Sequence, residues 1–559
     1  MGVVMSQQQH SSNPQRFVPA NFQVELPYSQ LIRRESPEGE DVVPLDVVFV
    51  GAGPAGLSGA IELAKLIQQD NEQGGDLGDV QIGVLEKAAN LGGHSLSGAV
   101  VNPIGFRTLF PQMQDSEFPF RRPVTKEKVY LLTESGSVRL PTPPTMKNHG
   151  NYIGSLCEMV RWLGQKAEEL GVNVFTSFPV ESLLVEDEKV IGVRTTPAGL
   201  MRDGQAGPSH MPATDITAQV TVLSEGTRGP LSQAYYNWQN ISAEYPQIYA
   251  LGVKEIWRVK KAPQEIIHTL GWPLKDAFGG SFMYPLADDC LALGLVAGLD
   301  YREHNLDVHH SLQRMKQHPL FKALLDGGEI MEWGAKTIPE GGYHAIGQRL
   351  HGDGLLILGD AAGLVNVPAL KGIHFAMLSG ILAARSIFQA LKAKDTSKDK
   401  LKTYDESLRA SSLWKDLYKV RNMRHAFKEG FYKGGAKAAL MTLTGGSFPG
   451  VKGPQAEDAE EWREVSPEQD KVGLSKVDAV YLSGNKTRDD IPQHLIVGQD
   501  VPEEVADFYT HLCPAGVYER QGDKLIVNAP NCIDCKATDV VGPRWQPREG
   551  GSGPDYKMM

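Results

Sequence analysis

One glycine-rich turn restricts the fold of this chain more than any other feature of its sequence. The segment LDVVFVGAGPAGLSGAIELAKL begins with a continuous apolar strand at residues 47–50 and continues as a helical pattern from Pro54. Between the two, the chain turns on Gly51, Gly53 and Gly56. A second apolar strand, VQIGVLEK, follows after a polar surface connection. This order of elements predicts a Rossmann-like βαβ unit and therefore an α/β fold.

The G-x-G-x-x-G spacing of these glycines predicts a dinucleotide site. The three positions serve a tight turn, a close approach of the backbone to a pyrophosphate, and close packing of helix on strand. The helix that starts with Pro54 and Ala55 would present unpaired N–H groups and a positive dipole end to the phosphates. Glu86 ends the second strand, where a carboxylate accepts hydrogen bonds from a ribose diol. A dinucleotide site therefore explains the segment better than a purely structural turn.

A later segment, LLILGDAAG, indicates that the dinucleotide is FAD. It places Asp360 at the end of a buried strand beside small residues, the pattern with which FAD enzymes of the glutathione reductase type hold the ribityl and pyrophosphate region. A helix that begins near Gly372 can direct its N-terminus at N1 and the C2 oxygen of the flavin, where negative charge develops on reduction. The sequence contains one glycine-rich dinucleotide fingerprint, so a separate NAD(P)H domain is not expected.

Composition excludes several classes of function. The chain has 559 residues, 41% of them hydrophobic, which is enough for two or more domains with their own cores. The net charge of -11 argues against nucleic acid as a partner, because nucleic-acid binders need a basic footprint. Five cysteines are too few and too unevenly placed for a disulfide framework, which favours a reducing compartment and a metal-binding role.

Changes in composition divide the chain into four parts. Residues 1–44 form a polar N-terminal tail without an apolar leader core, expected to pack late or to stay mobile. Residues 45–445 are expected to form the FAD-binding domain. In residues 446–478, glycine and proline give way to an acidic run, which is typical of a linker. Residues 479–559 are expected to form a compact C-terminal module.

The C-terminal module contains the segment NAPNCIDCKATD, in which a metal-binding pattern is incomplete. Cys532 and Cys535 have C-x2-C spacing, but the next step of three arrives at Thr538. An iron-sulphur cluster is the first interpretation of the segment. A zinc site is the second, because His511 with Cys513, Cys532 and Cys535 would make a Cys3His set that stabilises a small domain and moves no electrons.

Six motifs in order give the chain a family resemblance. They are GAGPAGLSGAIELA, GGHSLSGAVVNP, GGSFMYPL, NVPALKGIHFAMLSGILAA, CPAGVYE and EGGSGPDY, and they extend from about Asp46 to the C-terminus. With these motifs the chain resembles the electron transfer flavoprotein-ubiquinone oxidoreductase family. The C-terminal module distinguishes this family from geranylgeranyl reductases and aromatic hydroxylases, which share the FAD domain.

The resemblance implies a Rossmann-like FAD-binding domain of the glutathione reductase type, an interleaved ubiquinone-binding subdomain within residues 45–445, and a ferredoxin-like iron-sulphur module. The overall class is then α/β, or α+β over the whole chain. The implied enzyme is an electron-transferring-flavoprotein dehydrogenase. It would pass electrons from reduced electron transfer flavoprotein through FAD and a [4Fe-4S] cluster to ubiquinone. No side chain acts as a nucleophile in this activity.

The resemblance also assigns residues to ligands. Gly93, Ser95 and Asn366 join the FAD-binding set named above. Gly279 and Gly280 match glycines that contact ubiquinone, although a glycine pair can also mark a bulge in a strand.

Four cysteines bind the cluster in this family, and Cys513, Cys532 and Cys535 match three of them. Thr538 stands at the fourth position. Because Asp539 matches the residue that follows the last cysteine of the family, we interpret this as a substitution without a change in spacing. Asp539, Thr538 and His511 are the candidates for the fourth ligand, and a [3Fe-4S] cluster is the alternative. Tyr518 and Ala537 are candidates for tuning the cluster.

Attachment to a membrane surface without a spanning helix is a further implication of the resemblance. The corresponding segments are NPIGFRTLFPQM and RHAFKEGFYKGGAKAALMTLTGGSF. The second mixes apolar residues with Arg424, Lys428, Lys433 and Lys437, which suits an interfacial segment facing anionic lipid. The absence of a transit-peptide pattern favours the cytoplasmic face of a bacterial plasma membrane over the mitochondrial inner membrane.

Two other functions remain open from the sequence. One is an FAD-dependent reductase or hydroxylase of a lipid-soluble substrate, which would share the FAD domain. The other is a redox-inactive scaffold that retains FAD and a structural zinc ion.

Overall fold

The computed structural model describes residues 16–35, 42–98, 100–275, 277–450, 455–467 and 471–559. The α-helices are α1 (Pro54–Glu72), α2 (Ile104–Leu109), α3 (Leu156–Glu169), α4 (Pro230–Trp238), α5 (Val308–Lys316), α6 (Pro319–Leu325), α7 (Ile373–Lys392), α8 (Lys398–Ala410), α9 (Ser412–Val420), α10 (Phe431–Leu443), α11 (Lys476–Leu482), α12 (Glu503–Leu512) and α13 (Ala537–Val541).

The strands from the first half of the chain are β1 (Arg16–Phe17), β2 (Ile32–Arg33), β3 (Val42–Pro44), β4 (Val47–Val50), β5 (Ile82–Glu86), β6 (Val100–Val101), β7 (Phe120–Pro123), β8 (Glu127–Leu132), β9 (Ser137–Leu140), β10 (Tyr152–Gly154), β11 (Asn173–Thr176), β12 (Val180–Glu186), β13 (Lys189–Thr195), β14 (Ala198–Leu200), β15 (Ala206–Met211), β16 (Asp215–Thr217), β17 (Val220–Leu223), β18 (Tyr249–Arg258) and β19 (Ile266–Gly271). Those from the second half are β20 (Gly279–Ala287), β21 (Cys290–Gly298), β22 (Glu329–Pro339), β23 (His351–Gly352), β24 (Leu355–Ile357), β25 (Arg463–Glu464), β26 (Leu495–Ile496), β27 (Tyr518–Gln521), β28 (Lys524–Val527) and β29 (Arg544–Trp545).

A six-stranded sheet forms the centre of the nucleotide-binding domain. Its strand order is β11-β5-β4-β17-β24-β23, and only β23 pairs antiparallel with its neighbour. The apolar run at residues 47–50 is buried throughout, as expected for a strand in the middle of a parallel sheet. The βαβ unit predicted from the glycine-rich turn is therefore present, and the predicted α/β fold is confirmed.

Helices α1 and α7 pack very closely, and glycines permit the contact. A Cβ atom on Gly380 of α7 would lie 2.2 Å from the carbonyl oxygen of Ala55 in α1, and one on Gly59 would lie 3.2 Å from the carbonyl oxygen of Gly380. Small residues allow two helix backbones to approach in this way. This contact holds the N-terminal ends of α1 and α7 in the same domain. The glycine-rich turn precedes α1 and the Asp360 segment precedes α7, so the two predicted FAD segments lie in one domain.

A seven-stranded sheet forms the second domain, with the order β22-β18-β21-β20-β19-β8-β9. All of its pairs are antiparallel except β19 with β8. Strands β8 and β9 come from a part of the chain that precedes β11 of the first sheet, and β18 to β22 lie between β17 and β24 of the first sheet. The second domain is thus interleaved in sequence with the first.

Part of the N-terminal segment belongs to this folded body. Strand β1 pairs with β25, β2 pairs with β12, and β3 pairs with β16, so these short strands cover edges that other segments leave open. Residues 16–35 and 42–44 are therefore packed, and residues 1–15 lie outside the described residues. The boundaries at 44/45, 445/446 and 478/479 stay predictions, and β25 and α11 show that the predicted linker contributes regular structure.

Within the described ranges, α7 is the one helix whose length and apolar composition would suffice to cross a bilayer. Most of its residues are buried inside the protein, against α1 and the central sheet. Its composition is therefore explained by its position in the core.

Candidate cofactor and quinone sites

The glycine-rich turn has the geometry that a pyrophosphate site requires. Gly51 has φ +108°, and a Cβ there would lie 2.4 Å from the carbonyl oxygen of Ser224. A Cβ on Gly56 would lie 2.2 Å from the carbonyl oxygen of Gly51, so both positions exclude a side chain. Gly53 is different, because no atom lies within 4 Å of its Cβ position. The open space and the uncapped first turn of α1 leave N–H groups available to a phosphate.

Glu86 lies at the end of β5, beside this turn. Its Oε2 accepts a hydrogen bond from the backbone N–H of Ala52 at 3.0 Å, and its Oε1 accepts one from the N–H of Ala88 at 2.9 Å. The two bonds hold the carboxylate in one orientation against the first glycine turn. A fixed carboxylate at this place can accept further hydrogen bonds from a ribose.

Asp360, Asn366 and Gly372 converge at the start of α7. The Oδ1 atom of Asp360 lies 3.9 Å from the Cβ position of Gly372, which caps α7. Desolvation raises the pKa of Asp360 to about 6, and Lys336 opposes this shift. The backbone groups of Asn366 and Lys371 exchange two hydrogen bonds of 2.9 and 3.1 Å, which close the loop before the helix. The Cβ position of Gly359 lies 3.0 Å from the Cβ of Ala55 in α1, so the two FAD segments meet, and the contacts of their residues with FAD stay predictions.

Gly93 and Ser95 lie in the loop after β5 and touch distant parts of the chain. The carbonyl oxygen of Gly93 accepts a hydrogen bond from the N–H of Tyr556 at 2.9 Å. The carbonyl oxygen of Ser95 accepts one from the thiol of Cys157 at 3.0 Å. This loop therefore joins the FAD domain to the last residues of the chain, and the FAD contacts of Gly93 and Ser95 stay predictions.

Gly279 and Gly280 begin β20 of the second sheet. A Cβ on Gly279, which has φ +148°, would lie 2.0 Å from the carbonyl oxygen of Val296. One on Gly280 would lie 2.3 Å from the carbonyl oxygen of Thr269. Neighbouring strands alone therefore account for both glycines, and their contact with ubiquinone stays a prediction.

The segment around α10 exposes apolar side chains. Tyr432, Leu440, Leu443 and Phe448 are half or more exposed. The basic residues of this segment divide into two groups. Lys433 is exposed, whereas Arg424 is buried in ion pairs with Asp300 and Glu340.

Other residues of the proposed membrane segments also point inward. Lys428 pairs with Glu461 and is mostly buried. In the segment at residues 102–113, Phe106 and Phe110 are buried among aromatic rings, and Ile104 is exposed. The exposed apolar side chains therefore lie on α10 and just after it, whereas Arg424 and Lys428 are held in ion pairs inside the protein, and attachment to a membrane stays a prediction.

Cys513, Cys532 and Cys535 are buried and line one small cavity. Tyr518 and Thr538 line the same cavity. Asp534 and Lys536 have φ of 54° and 70°, and these two left-handed residues curl the loop so that its cysteines face inward. Burial raises the pKa of the Cys532 thiol to about 12, so iron must displace protons when it binds. The three cysteines and their shared cavity fit an iron-sulphur cluster.

The three candidates for the fourth ligand lie in different surroundings. Thr538 lines the cavity and is buried. Both carboxylate oxygens of Asp539 are engaged, Oδ2 by Nε of Arg228 at 2.8 Å and Oδ1 by the N–H of Trp545 at 3.1 Å. The ring of His511 lies beside that of His304, and His511 is not part of the cavity lining. The Cys3His zinc set is therefore not assembled among the described residues.

Sequence reasoning missed a charged cluster around Asp534. Lys87 donates to its Oδ2 at 2.7 Å, and Arg548 and the indole of Trp545 each donate to its Oδ1 at 2.9 Å. Desolvation raises the pKa of Asp534, but Arg548, Lys87 and other cationic groups outweigh it, so the pKa lies well below its ordinary value. Lys87 lies 447 positions from Asp534, and Trp545 and Arg548 follow it by 11 and 14 positions, so no local pattern in the sequence indicates the cluster.

His494 is a second residue that the sequence did not indicate. One of its ring nitrogens, the Cys532 sulphur and an Asp534 oxygen lie within 4.8 Å of one another. Both of its ring nitrogens are buried without a hydrogen-bond partner among the described residues. Asp534 is already paired with cations and Cys532 belongs to the cluster cavity, so this group does not make an independent metal site.

Two family models match the parts of the chain that contain the candidate quinone glycines and the cysteine cavity. The model described as ETF-QO, ubiquinone-binding, matches residues 249–338, which contain β18 to β22. The model described as electron transfer flavoprotein-ubiquinone oxidoreductase, 4Fe-4S, matches residues 470–557, which contain all three cysteines of the cavity.

Relatives match over nearly the whole chain. Two of them are named mitochondrial electron transfer flavoprotein-ubiquinone oxidoreductases, from rice and from pig. The rice protein is 38% identical, and the match covers 93% of this chain and 94% of the relative. The pig protein is 36% identical, with coverage of 92% and 89%.

A solved structure has a similar fold over most of this chain. It is a geranylgeranyl bacteriochlorophyll reductase-like protein from Thermoplasma acidophilum, with a TM-score of 0.56 and 18% identity. The match covers 73% of this chain and 92% of that one.

The expectation of a bacterial plasma membrane is wrong. The relatives from rice, pig and fission yeast are all named mitochondrial. That expectation came from the composition of residues 1–44. A targeting leader is removed from the mature protein and forms no part of the fold. The composition of residues 1–44 therefore could not identify the membrane with which the protein associates.

Two family models and relatives of matching length agree on one assignment. This chain belongs to the electron transfer flavoprotein-ubiquinone oxidoreductase family.

Proposed function

We propose that the residues described above serve the activity for which the family is named. The protein is an oxidoreductase that takes electrons from reduced electron transfer flavoprotein and delivers them to ubiquinone. Its cofactors are FAD and a [4Fe-4S] cluster. When bound, FAD exchanges two electrons and the cluster exchanges one, so the pair can connect partners of either kind.

We assign the following roles to the residues of the FAD site. Gly51, Gly53 and Gly56 shape the pyrophosphate turn, and Glu86 accepts hydrogen bonds from the adenosine ribose. Asp360 and the N-terminus of α7 at Gly372 hold the ribityl chain and the flavin. Because a helix N-terminus favours negative charge, α7 would stabilise negative charge on a bound flavin.

One observation carries the electron-transfer proposal: the cysteine loop packs directly on both the FAD domain and the second sheet. Lys87, the residue after Glu86, pairs with Asp534, which lies between Cys532 and Cys535. The N–H of Thr337 in β22 donates to the carbonyl oxygen of Cys535 at 2.9 Å. The two cofactor sites therefore lie in one packed body, which suits electron transfer between them without a domain movement.

The quinone site is assigned to the second sheet at Gly279 and Gly280. Both glycines are only half-buried at the start of β20, so part of their backbone is exposed to a quinone head group. The exposed apolar surface at Tyr432, Leu440, Leu443 and Phe448 is assigned to the membrane interface, from which a lipid-soluble quinone enters. We propose the mitochondrion as the compartment, since the relatives are named for it.

Reduction of the protein by its donor tests the proposal. Anaerobic addition of reduced electron transfer flavoprotein should bleach the flavin absorbance, and added ubiquinone should restore it. Rapid oxidation of NAD(P)H without the donor protein would instead support a reductase or hydroxylase. A flavin that the donor cannot reduce would support a redox-inactive scaffold.

Removal of one cluster ligand should separate the two cofactors. In Cys535→Ser we expect iron and sulfide to fall to background while FAD remains, since loss of a ligand costs more than the roughly 10–100-fold in affinity that supporting residues contribute. Cys290→Ser is the matched control, because Cys290 lies on β21, away from the cavity. Equal iron content in both variants would contradict the assignment of the cluster.

A further inference from the structure

The substitution at position 538 changes the cluster itself, and this inference rests on the proposed function. We propose that the cluster is site-differentiated. Cys513, Cys532 and Cys535 hold three irons. The fourth iron faces Thr538, has no protein thiolate, and leaves when the cluster is oxidised by one electron.

No other thiol reaches the fourth corner. Cys157 lies in α3, where its thiol donates to the carbonyl oxygen of Ser95 at 3.0 Å. Cys290 lies on β21, opposite Arg258 and Ala287. Neither residue lines the cavity of the three cysteines. The chain has five cysteines, so none is left to complete the set.

The other two candidate ligands are held away from the cavity. Asp539 is buried in its pair with Arg228, and removing it from that pair would leave a buried cation uncompensated. The ring of His511 packs beside His304. Thr538 remains, and it is one of the residues that form the cavity wall.

Thr538 offers an oxygen where the family offers a thiolate. It is the second residue of α13, and its position on the helix turns it toward Tyr518, whose hydroxyl is close enough to interact with it. A threonine hydroxyl is neutral at ordinary pH, and burial in a low-dielectric cavity disfavours its ionised form. Soft thiolates are the preferred ligands of iron-sulphur clusters, so a neutral oxygen retains iron less strongly.

Tyr518 supports the presence of a group in this cavity. Its hydroxyl is buried, and it has no hydrogen bond of ordinary geometry with the described residues. A buried hydroxyl that lacks a well-formed hydrogen bond costs free energy unless another group accepts that bond. A cluster sulphur in the cavity would accept that bond.

Loss of the fourth iron is a balanced oxidation. A [4Fe-4S]2+ cluster gives one electron to ferricyanide, releases Fe2+ and leaves [3Fe-4S]+. The reverse step takes up Fe2+ and one electron from dithionite. The four sulfides stay in the cluster throughout, so the ratio of iron to sulfide measures the step directly.

The first test uses the wild-type holoprotein. After anaerobic purification and treatment with stoichiometric ferricyanide, we expect about three iron per four sulfide and an EPR signal in the oxidised state, as for a three-iron cluster. Added 57Fe2+ and dithionite should then return label to one site only, as seen by Mössbauer spectroscopy. Unchanged iron content without an oxidised-state signal, or label spread evenly over all sites, would overturn the proposal. One zinc without sulfide would do so too.

The second test is Thr538→Cys, which supplies the missing thiolate. We expect this variant to retain about four iron per four sulfide after ferricyanide and to lose the oxidised-state signal. Thr510→Cys is the matched control, because Thr510 lies in α12 of the same module and does not line the cavity. The control should behave as wild type. Identical iron loss in Thr538→Cys and wild type would contradict the role of position 538.

The tests separate this inference from the proposed function. If the cluster keeps its fourth iron but reduced electron transfer flavoprotein still reduces the protein, only the inference fails. If iron is exchangeable but neither the donor nor ubiquinone reacts, the proposed function fails and the inference stands.

Discussion

The FAD site and the cluster cavity are built by different means. The FAD site consists mainly of backbone that lacks side chains, with close contacts such as that between Gly56 and the carbonyl oxygen of Gly51. The cluster cavity consists of side chains, three of them thiols, and beside it lies a buried ion cluster centred on Asp534. Steric exclusion of side chains shapes the FAD site, whereas buried ion pairs stabilise the region around the cluster cavity.

This difference shows why one site is complete and the other altered. A backbone site tolerates no added atoms at its closest contacts, so its glycine spacing is intact. A side-chain site can exchange one ligand and keep its cavity, because Thr538 fills about the same place as a cysteine. The three predictions below test whether space and charge are as separate as this comparison implies.

Asp534→Asn should have the largest effect on stability. It removes the one carboxylate that pairs with both Lys87 and Arg548, and the buried guanidinium of Arg548 then loses its ion partner. We expect the free energy of unfolding to fall by about 3–5 kcal/mol, measured by denaturation of the holoprotein. Asp416→Asn is the control, since its pair with Lys419 is exposed and contributes less than about 1 kcal/mol. An equal effect of the two variants would show that charge does not dominate near the cluster.

Gly56→Ala should have the second-largest effect on stability, and it should act only through a steric clash. Its Cβ would lie 2.2 Å from the carbonyl oxygen of Gly51, which forces the turn to move. We expect a loss of about 1–3 kcal/mol in the stability of the FAD-free protein. Gly53→Ala meets no atom within 4 Å, so it should leave that stability unchanged. Its methyl group would occupy the space through which the backbone approaches the pyrophosphate, so we expect FAD affinity to fall by about tenfold. Similar loss of stability in both variants would contradict the separate roles of the two glycines.

His268→Gln should have the smallest effect, and only in acid. His268 is buried on β19, its Nε2 lies 2.8 Å from the Tyr284 hydroxyl, and desolvation lowers its pKa from 6.5 to about 3. Below pH 6.5 the unfolded chain therefore binds a proton that the folded chain refuses, and stability falls as pH falls. Between pH 7 and 5 the wild type should lose about 2 kcal/mol that the variant keeps.

The control for that experiment is His210→Gln, which removes an exposed histidine and leaves the buried one in place. Asp534 changes the pH dependence in the same direction. Its depressed pKa stabilises the folded protein above the pKa of an aspartate in the unfolded chain, and this stabilisation is lost as pH falls. Its window lies below about pH 4. A wild-type loss between pH 7 and 5 that survives in His268→Gln would assign the acid sensitivity to other groups.

Local patterns predicted much of the fold. The strand at Val47–Val50, the helix from Pro54 and the helix that follows Gly372 lie where apolar runs and glycines indicated them. These features are readable because they follow from contacts between residues near in sequence. The need for glycine at positions 279 and 280 could not be predicted from local sequence, because the carbonyl oxygens that exclude side chains there belong to β19 and β21.

Sequence by itself determined the dinucleotide fold and the C-x2-C pair at Cys532 and Cys535, because each is a spacing within one segment, while the place of Cys513 and the substitution at Thr538 followed from the ordered motifs of the family resemblance. Tertiary structure alone decided which oxygen faces the cysteine cavity. Asp539 and Thr538 are adjacent in sequence, yet one is bound to Arg228 and the other lines the cavity. The same holds for Asp534, whose partners Lys87 and Arg548 lie more than 400 positions apart from each other along the chain. Burial makes an unpaired charge costly, and only folding shows which distant groups satisfy it.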